Sequence, residues 1–177
     1  MGGDQITNDI AMALRTPTLD AEDLKIEHGI AKQSLADPQA MLDVPGIGDR
    51  ESKPISRQSL AAVIEPRVEE LFRFVVEALE HSGFTHKVPS GVVLTGGAVS
   101  MPGIVELAEE VFNKPARIGM PEYSGHLKDV LRNPKYSASI GLLREGRAQI
   151  VRGQEASKSK PLGGVSKRIK DWFTGNF

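Results

Sequence analysis

The sequence predicts an α/β domain followed by a separate amphipathic tail, and three features carry that reading. A compact apolar run, Gly91-Val92-Val93-Leu94-Thr95, ends in Gly96-Gly97, after which Ile104, Leu107, Ala108, Val111 and Phe112 return at helical spacing. Strand, glycine turn and helix in succession make one α/β unit. Between Arg57 and His81, Leu60, Val63, Ile64, Val68, Leu71, Phe72, Val75, Val76 and Leu79 keep returning to one broad face, the strongest helical signal in the chain. The 177 residues are 40% hydrophobic and 25% charged, an ordinary globular balance, but only 5% aromatic, so the core must rest on aliphatic side chains.

Taken in order, Gly2-Gly3-Asp4 reads as a turn with a capping carboxylate. Ile6, Ile10, Ala13 and Leu14 then mark a first helix to about Arg15. Thr16-Pro17 ends it, and a second helix is expected from Asp20 to Lys32 with Leu24, Ile26, Ile30 and Ala31 as apolar positions and Gly29 as a breaker. Pro38, Pro45, Gly46, Gly48 and Pro54 favour short strands and turns up to Ser56, with Met41 to Val44 as one edge strand. Pro66 predicts a kink in the long helix, and Gly83 stops it. A strand at Ala116 to Gly119 and a helix from Tyr136 to Gln149 complete a second unit. Residues 151–164, rich in Ser, Gly and Pro toward their end, read as a flexible linker.

Several chemistries are excluded. Cysteine is absent, so no disulfide, thiolate zinc site or cysteine nucleophile is possible. His28, His81, His86 and His126 form no ligand-like spacing, and neither a G-x-S-x-G elbow nor a G-x-x-x-x-G-K-[ST] loop occurs. No catalytic residue and no metal ligand is therefore assigned. A net charge of −1 excludes a uniformly basic nucleic-acid binder. That average hides an asymmetry, since residues 151–177 carry six basic side chains against two acidic ones.

Three places remain where function could reside. Gly96-Gly97 lets a ribose or phosphate approach the backbone, although such a pair alone is more often turn chemistry. Gly2-Gly3 before a helix repeats that logic, and Glu22 with Lys25 reads first as a solvated ion pair. The third place is the terminus, where Val165, Ile169, Trp172, Phe173 and Phe177 fall on one helical face and Lys167, Arg168, Lys170 and Asp171 on the rest. Thirteen residues are too few to span a bilayer, which needs about twenty. The linker, the cationic excess and the single Trp favour a membrane surface over docking on the protein's own core, and a helical partner protein is the third alternative.

The run from Gly91 to Gly103, GVVLTGGAVSMPG, resembles the adenosine motif of the actin-like cell-division family FtsA. In the same order, Gly2 to Ala11 resembles the segment after that family's second phosphate loop. Ala21 to Lys25 resembles its nucleotide-flanking helix, Arg57 to Arg67 its long helix in subdomain 2B, and the basic terminus its membrane-targeting sequence. The resemblance implies the C-terminal portion of such a protein: a partial actin-like, ribonuclease H-like second lobe with an inserted α+β subdomain and a C-terminal amphipathic helix. Subdomain 2A would occupy residues 1–24 and 84–150, 2B residues 25–83, the linker 151–164 and the targeting helix 165–177.

It further implies a tether of FtsZ filaments to the cytoplasmic face of the inner membrane at the division septum, self-association into actin-like filaments, and no nucleic acid. Gly2, Gly3, Glu22, Lys25, Gly96, Gly97, Ala98 and Met101 would face ATP, held with magnesium in the complete family and only weakly by this chain, which lacks the first phosphate loop. Lys53, Arg57, Arg67 and Glu70 would receive the FtsZ C-terminal peptide through a cationic groove, the alternative for each being solvated helix surface. Val165, Lys167, Arg168, Ile169, Lys170, Trp172, Phe173 and Phe177 would meet anionic lipid. The competing reading is an actin-like ATPase.

Overall fold

A computed structural model describes residues 2–84, 87–122 and 125–158. The elements are α1 (Gly3–Leu14), α2 (Thr18–His28), β1 (Met41–Val44), β2 (Lys53–Ser56), α3 (Arg57–His81), β3 (Val92–Leu94), α4 (Ile104–Phe112), β4 (Ala116–Ile118), α5 (Lys128–Leu131) and α6 (Ser137–Lys158). The described residues up to Ser137 form one body and those from Ala138 to Lys158 a second.

In the first body, Ile6, Ile10 and Leu14 give α1 a buried stripe at i, i+4 and i+8. Ala13, expected on that stripe, is exposed one position off it. The cap is also corrected: Gly2 holds the N-cap without a side-chain hydrogen bond, and Asp4 lies in the first turn, where its carboxylate complements the helix dipole instead. The second helix starts two residues earlier than expected and stops at His28. Gly29 is the reason, because the chain turns so sharply there that an added Cβ would stand 2.3 Å from the Lys25 carbonyl oxygen. Ile26, expected in the core, is exposed.

β1 and β2 pair antiparallel, Met41 with Ser56 and Val44 with Lys53, which turns Leu42 and Val44 inward. α3 has the bounds that the periodicity predicts. Ser56 caps it by accepting from the Ser59 N–H at 3.1 Å, and the helix continues through Pro66, which removes one donor from its ladder. Only the first half of its apolar face is fully covered: Leu60, Ala61, Ile64 and Val68 are buried, whereas Val75 is exposed. Phe72 packs on Phe112 of α4 with ring centroids 5.4 Å apart. Ile6, Ile10, Leu42, Val44, Leu60, Ile64, Val99, Ile104 and Leu107 belong to one core that the residues read as 2A and 2B share.

β3 and β4 pair in parallel, Val92 with Ala116 and Leu94 with Ile118, and α4 forms the crossover. Gly91 opens β3 at φ +92°, and a Cβ there would lie 2.1 Å from the Pro115 carbonyl oxygen. Gly91→Ala should therefore destabilise the protein by about 1–3 kcal/mol. Gly2→Ala, with nothing within 4 Å of the added carbon, should be close to neutral. Paired thermal melts check this, and equal midpoints for the two variants would refute it.

In the second body, α6 corrects the expected linker. The helix continues to Lys158, so residues 151–158 are helical. Gln154, Glu155, Ala156 and Lys158 are good helix formers, and the run of Ser, Pro and Gly that suggested a linker is densest after them. Within α6, the Gln149 amide donates to Glu145 at 3.3 Å one turn earlier.

Candidate functional site

The first turn of α1, one face of α2 and the 3-10 turn Gly97–Ser100 surround a cleft of about 540 Å³. Gly96 makes this arrangement possible, since it leaves β3 at φ +104° and ψ 177°, a conformation that L side chains rarely adopt. Its N–H donates to the Pro134 carbonyl at 3.1 Å, which brings Lys135 to the cleft wall. Six of the eight residues expected at a nucleotide line the cleft: Gly3, Glu22, Lys25, Gly97, Ala98 and Met101. Gly2 and Gly96 do not. The first precedes α1 and the second shapes the turn.

Glu22 and Lys25 are not the solvated pair that their spacing first suggests. The Lys25 ammonium donates to Glu22 Oε2 at 2.5 Å, Thr7 Oγ1 at 2.7 Å and the Gly3 carbonyl at 3.2 Å, and its side chain is only 11% exposed. Thr7 Oγ1 also contacts Glu22 Oε2. The Lys25 and Thr7 hydrogen bonds hold the Glu22 carboxyl below its usual range against a smaller opposing effect of burial. Sequence reading missed Asp4, Ile26, Gly29, Ser100, Pro102 and Lys135, which complete the lining. For Lys135 the only local signal is its place after Asn133-Pro134, because the contact is made by chain folding from a distance.

The fit to a nucleotide is chemical as well as spatial. The α1 N-terminus suits phosphate, Glu22 is an acceptor for hydroxyls, and the backbone at Gly97, where an added Cβ would meet nothing nearer than 3.9 Å, leaves room for a flat ring or a ribose. Among the described residues, no group of three or more His, Cys, Asp or Glu side chains could hold a metal ion.

A second groove, of about 610 Å³, lies between α1 and α3 and is lined by Asp9, Met12, Ala13, Val63, Pro66, Arg67 and Glu70. It brings together only two of the four residues expected at a peptide. Arg67 and Glu70 meet there, while Lys53 on β2 and Arg57 are not part of its lining. Arg57 is committed elsewhere, its Nε donating to the His28 carbonyl at 2.9 Å. Arg67 is neither a free cation nor solvated helix surface. Its Nε and Nη2 donate to the two carboxylate oxygens of Asp9, Nη2 at 3.0 Å, and its Nη1 donates to Glu70 Oε2. The groove is thus not cationic: one guanidinium faces two carboxylates.

The sequence profile described as Cell division protein FtsA matches residues 1–141. The chain belongs to the FtsA family. Cell division protein FtsA of Pseudomonas aeruginosa is 47% identical over all of this chain and 44% of its own length, and that of Neisseria meningitidis is 40% identical over 99% and 44%. The Escherichia coli K12 protein is 36% identical over the same shares. This chain therefore spans less than half the length of these FtsA relatives.

Solved structures agree on the fold. MreB of Spiroplasma citri bound to ADP superimposes with a TM-score of 0.65 over 87% of this chain and 46% of that one, and its complex with AMPPNP gives 0.63 over 86% and 46%, both at 17% identity. The partial actin-like fold expected of an FtsA chain is what these matches show. Of the expected FtsA sites, the membrane residues Val165, Lys167, Arg168, Ile169, Lys170, Trp172, Phe173 and Phe177 lie outside the described residues.

The network at the FtsA cleft makes stability pH-dependent in one direction. Glu22 has a lowered folded-state pKa, so its contribution is fully present above the unfolded carboxyl value near 4.3 and is lost as pH falls through the lower folded value. Glu22→Gln should therefore flatten the dependence of the thermal midpoint on pH below about 5 and leave its shape near pH 7 unchanged. Melts of both proteins across that range check the sign.

Proposed function

We propose that this FtsA-family chain tethers FtsZ filaments to the cytoplasmic face of the inner membrane at the division septum, where it helps to assemble the Z ring and recruit the divisome. The groove between α1 and α3 carries the reading, because it presents Arg67 and Glu70 beside an apolar floor of Met12, Ala13, Val63 and Pro66. Such a groove suits a short peptide with apolar anchors and one acidic group better than a uniformly acidic one. The FtsZ C-terminal peptide is its proposed occupant, residues 165–177 meet anionic lipid, and self-association into filaments multiplies the contacts. Nucleic acid is not a proposed partner. Anisotropy of a labelled FtsZ tail peptide, together with sedimentation of FtsZ on anionic liposomes with and without the chain, tests the tether. Absence of both signals would refute it.

The cleft lined by Lys25, Gly97 and Lys135 favours a second activity, binding of ATP with its magnesium. The start of α1 would hold phosphate with the Lys25 charge beside it, Glu22 would accept from a hydroxyl, and the Gly97–Met101 turn would bound the ring. The ion chelated by the phosphates would supply charge neutralisation. The 177-residue chain by itself should bind ATP at least about tenfold more weakly than a full-length relative and release no phosphate, since it spans less than half of such a relative's length. Micromolar affinity by calorimetry, or magnesium-dependent phosphate release, would overturn that and make the actin-like ATPase the better account.

A further inference from the structure

Two helices present matching faces to the groove. On α1, Asp9, Met12 and Ala13 stand at i, i+3 and i+4, and on α3, Val63, Pro66, Arg67 and Glu70 stand at i, i+3, i+4 and i+7. The core already holds these helices together through Ile6, Ile10, Leu60 and Ile64, none of which lines the groove. Asp9 is thus not needed to pack α1 on α3. Its two oxygens nevertheless take the Nε and Nη2 edge of Arg67 across 58 residues, with side chains 25% and 29% exposed.

A guanidinium has five N–H donors. Asp9 and Glu70 engage three of them, which leaves one N–H on each of Nη1 and Nη2. An arginine on an open helix face samples many rotamers and loses that freedom on binding, whereas one clamped in a planar fork has lost it already. Asp9 and Glu70 also raise the Arg67 pKa, chiefly through the Asp9 hydrogen bond.

We infer that Asp9 is a positioning residue for peptide recognition: it fixes the Arg67 guanidinium so that its two remaining donors meet a carboxylate of the bound peptide in one orientation. The inference rests on the FtsZ reading above. It predicts that Asp9 acts through Arg67 and contacts the peptide little itself. It also predicts that the Asp9 carboxylate cannot be replaced by the isosteric, neutral amide of Asn, which offers one acceptor oxygen where the Arg67 fork needs two.

The test uses the full chain and a labelled FtsZ C-terminal peptide, with anisotropy read for wild type, Asp9→Asn, Arg67→Lys and the double variant, and urea midpoints read in parallel. Asp9→Asn should weaken binding about tenfold, more than any loss of folded fraction explains. In the Arg67→Lys background, where no fork remains to be held, the same change should cost less than about twofold. Wild-type affinity in Asp9→Asn, or an equal loss in both backgrounds, would overturn the positioning role while leaving the FtsZ reading in place. Failure of the wild-type chain to bind would overturn the FtsZ reading and this inference with it.

Discussion

Arg67→Glu should abolish binding of the FtsZ peptide and also weaken the fold. The substitution places a third carboxylate between Asp9 and Glu70, both of which now depend on the guanidinium. The thermal midpoint should fall by several degrees, and by less for Arg67→Ala, which removes the cation without adding an anion. A helix-surface arginine without partners would give unchanged circular dichroism and an unchanged melt for both. Exchanging the pair, Asp9→Arg with Arg67→Asp, should recover part of the midpoint because opposite charges again face each other. Peptide binding should stay lost, because the donors now stand on α1. Melts and anisotropy on the same preparations decide this, and a stable, peptide-binding Arg67→Glu protein would remove the groove from the proposed tether.

The change Trp172→Glu with Phe173→Glu should release the chain from anionic liposomes. Two inserted rings contribute about 1.5–3 kcal/mol each when fully buried, so their loss weakens partitioning by about a hundredfold or more. Lys170→Gln, which removes one cation near the leaflet, should cost only about 1 kcal/mol, roughly fivefold. Ordering a thirteen-residue helix opposes insertion at about 1–2 kcal/mol per residue, so a single tail should bind weakly and reversibly. If the chain assembles as proposed, tails joined on a filament should bind more tightly because each later contact is intramolecular. Co-sedimentation and the blue shift of Trp172 fluorescence measure this. A double variant that still sediments would make docking of the tail on the protein the better account.

Local pattern and long-range pairing were unequally legible in the sequence. α3 and β1 have their expected bounds because periodicity, a Ser cap and a following Gly are all encoded within a few residues. The turn after β3 was equally plain, since Gly96-Gly97 follows an apolar run directly. The end of α2 was placed at Lys32 because Ile30 and Ala31 continue its apolar pattern, yet they are buried after the helix has stopped, with the Ala31 N–H donating to the Pro102 carbonyl at 2.8 Å. Tertiary contact overrode the helical period there. At the sites, Lys25 and Arg67 were singled out as cations, but their partners Thr7 and Asp9 sit 18 and 58 residues away and nothing in spacing announces them. Such partners turn a cationic groove into one where carboxylates outnumber the guanidinium, which alters the class of peptide that fits.

The core that joins α1 to α3 also sets an order of events during synthesis. Ile6 and Ile10 are buried against a cluster that includes Ala21 and Leu24 of α2 as well as Leu60, Ile64, Ile104 and Leu107, so α1 leaves the ribosome with α2 close behind it, some fifty residues before its partners on α3 and about a hundred before those on α4. At about 5–20 residues per second the wait for α3 is an interval of several seconds in which α2 alone, of the helices that pack on α1, is there to cover its apolar face. A twelve-residue helix is marginal in water by itself, so α1 depends on that partial cover until α3 emerges. Arrested nascent chains released before α3 has emerged should accordingly be protease-sensitive and prone to aggregate, and those extended past α4 should be protected. The time at which α3 emerges, more than the intrinsic helicity of α1, then governs when the α1/α3 groove first exists.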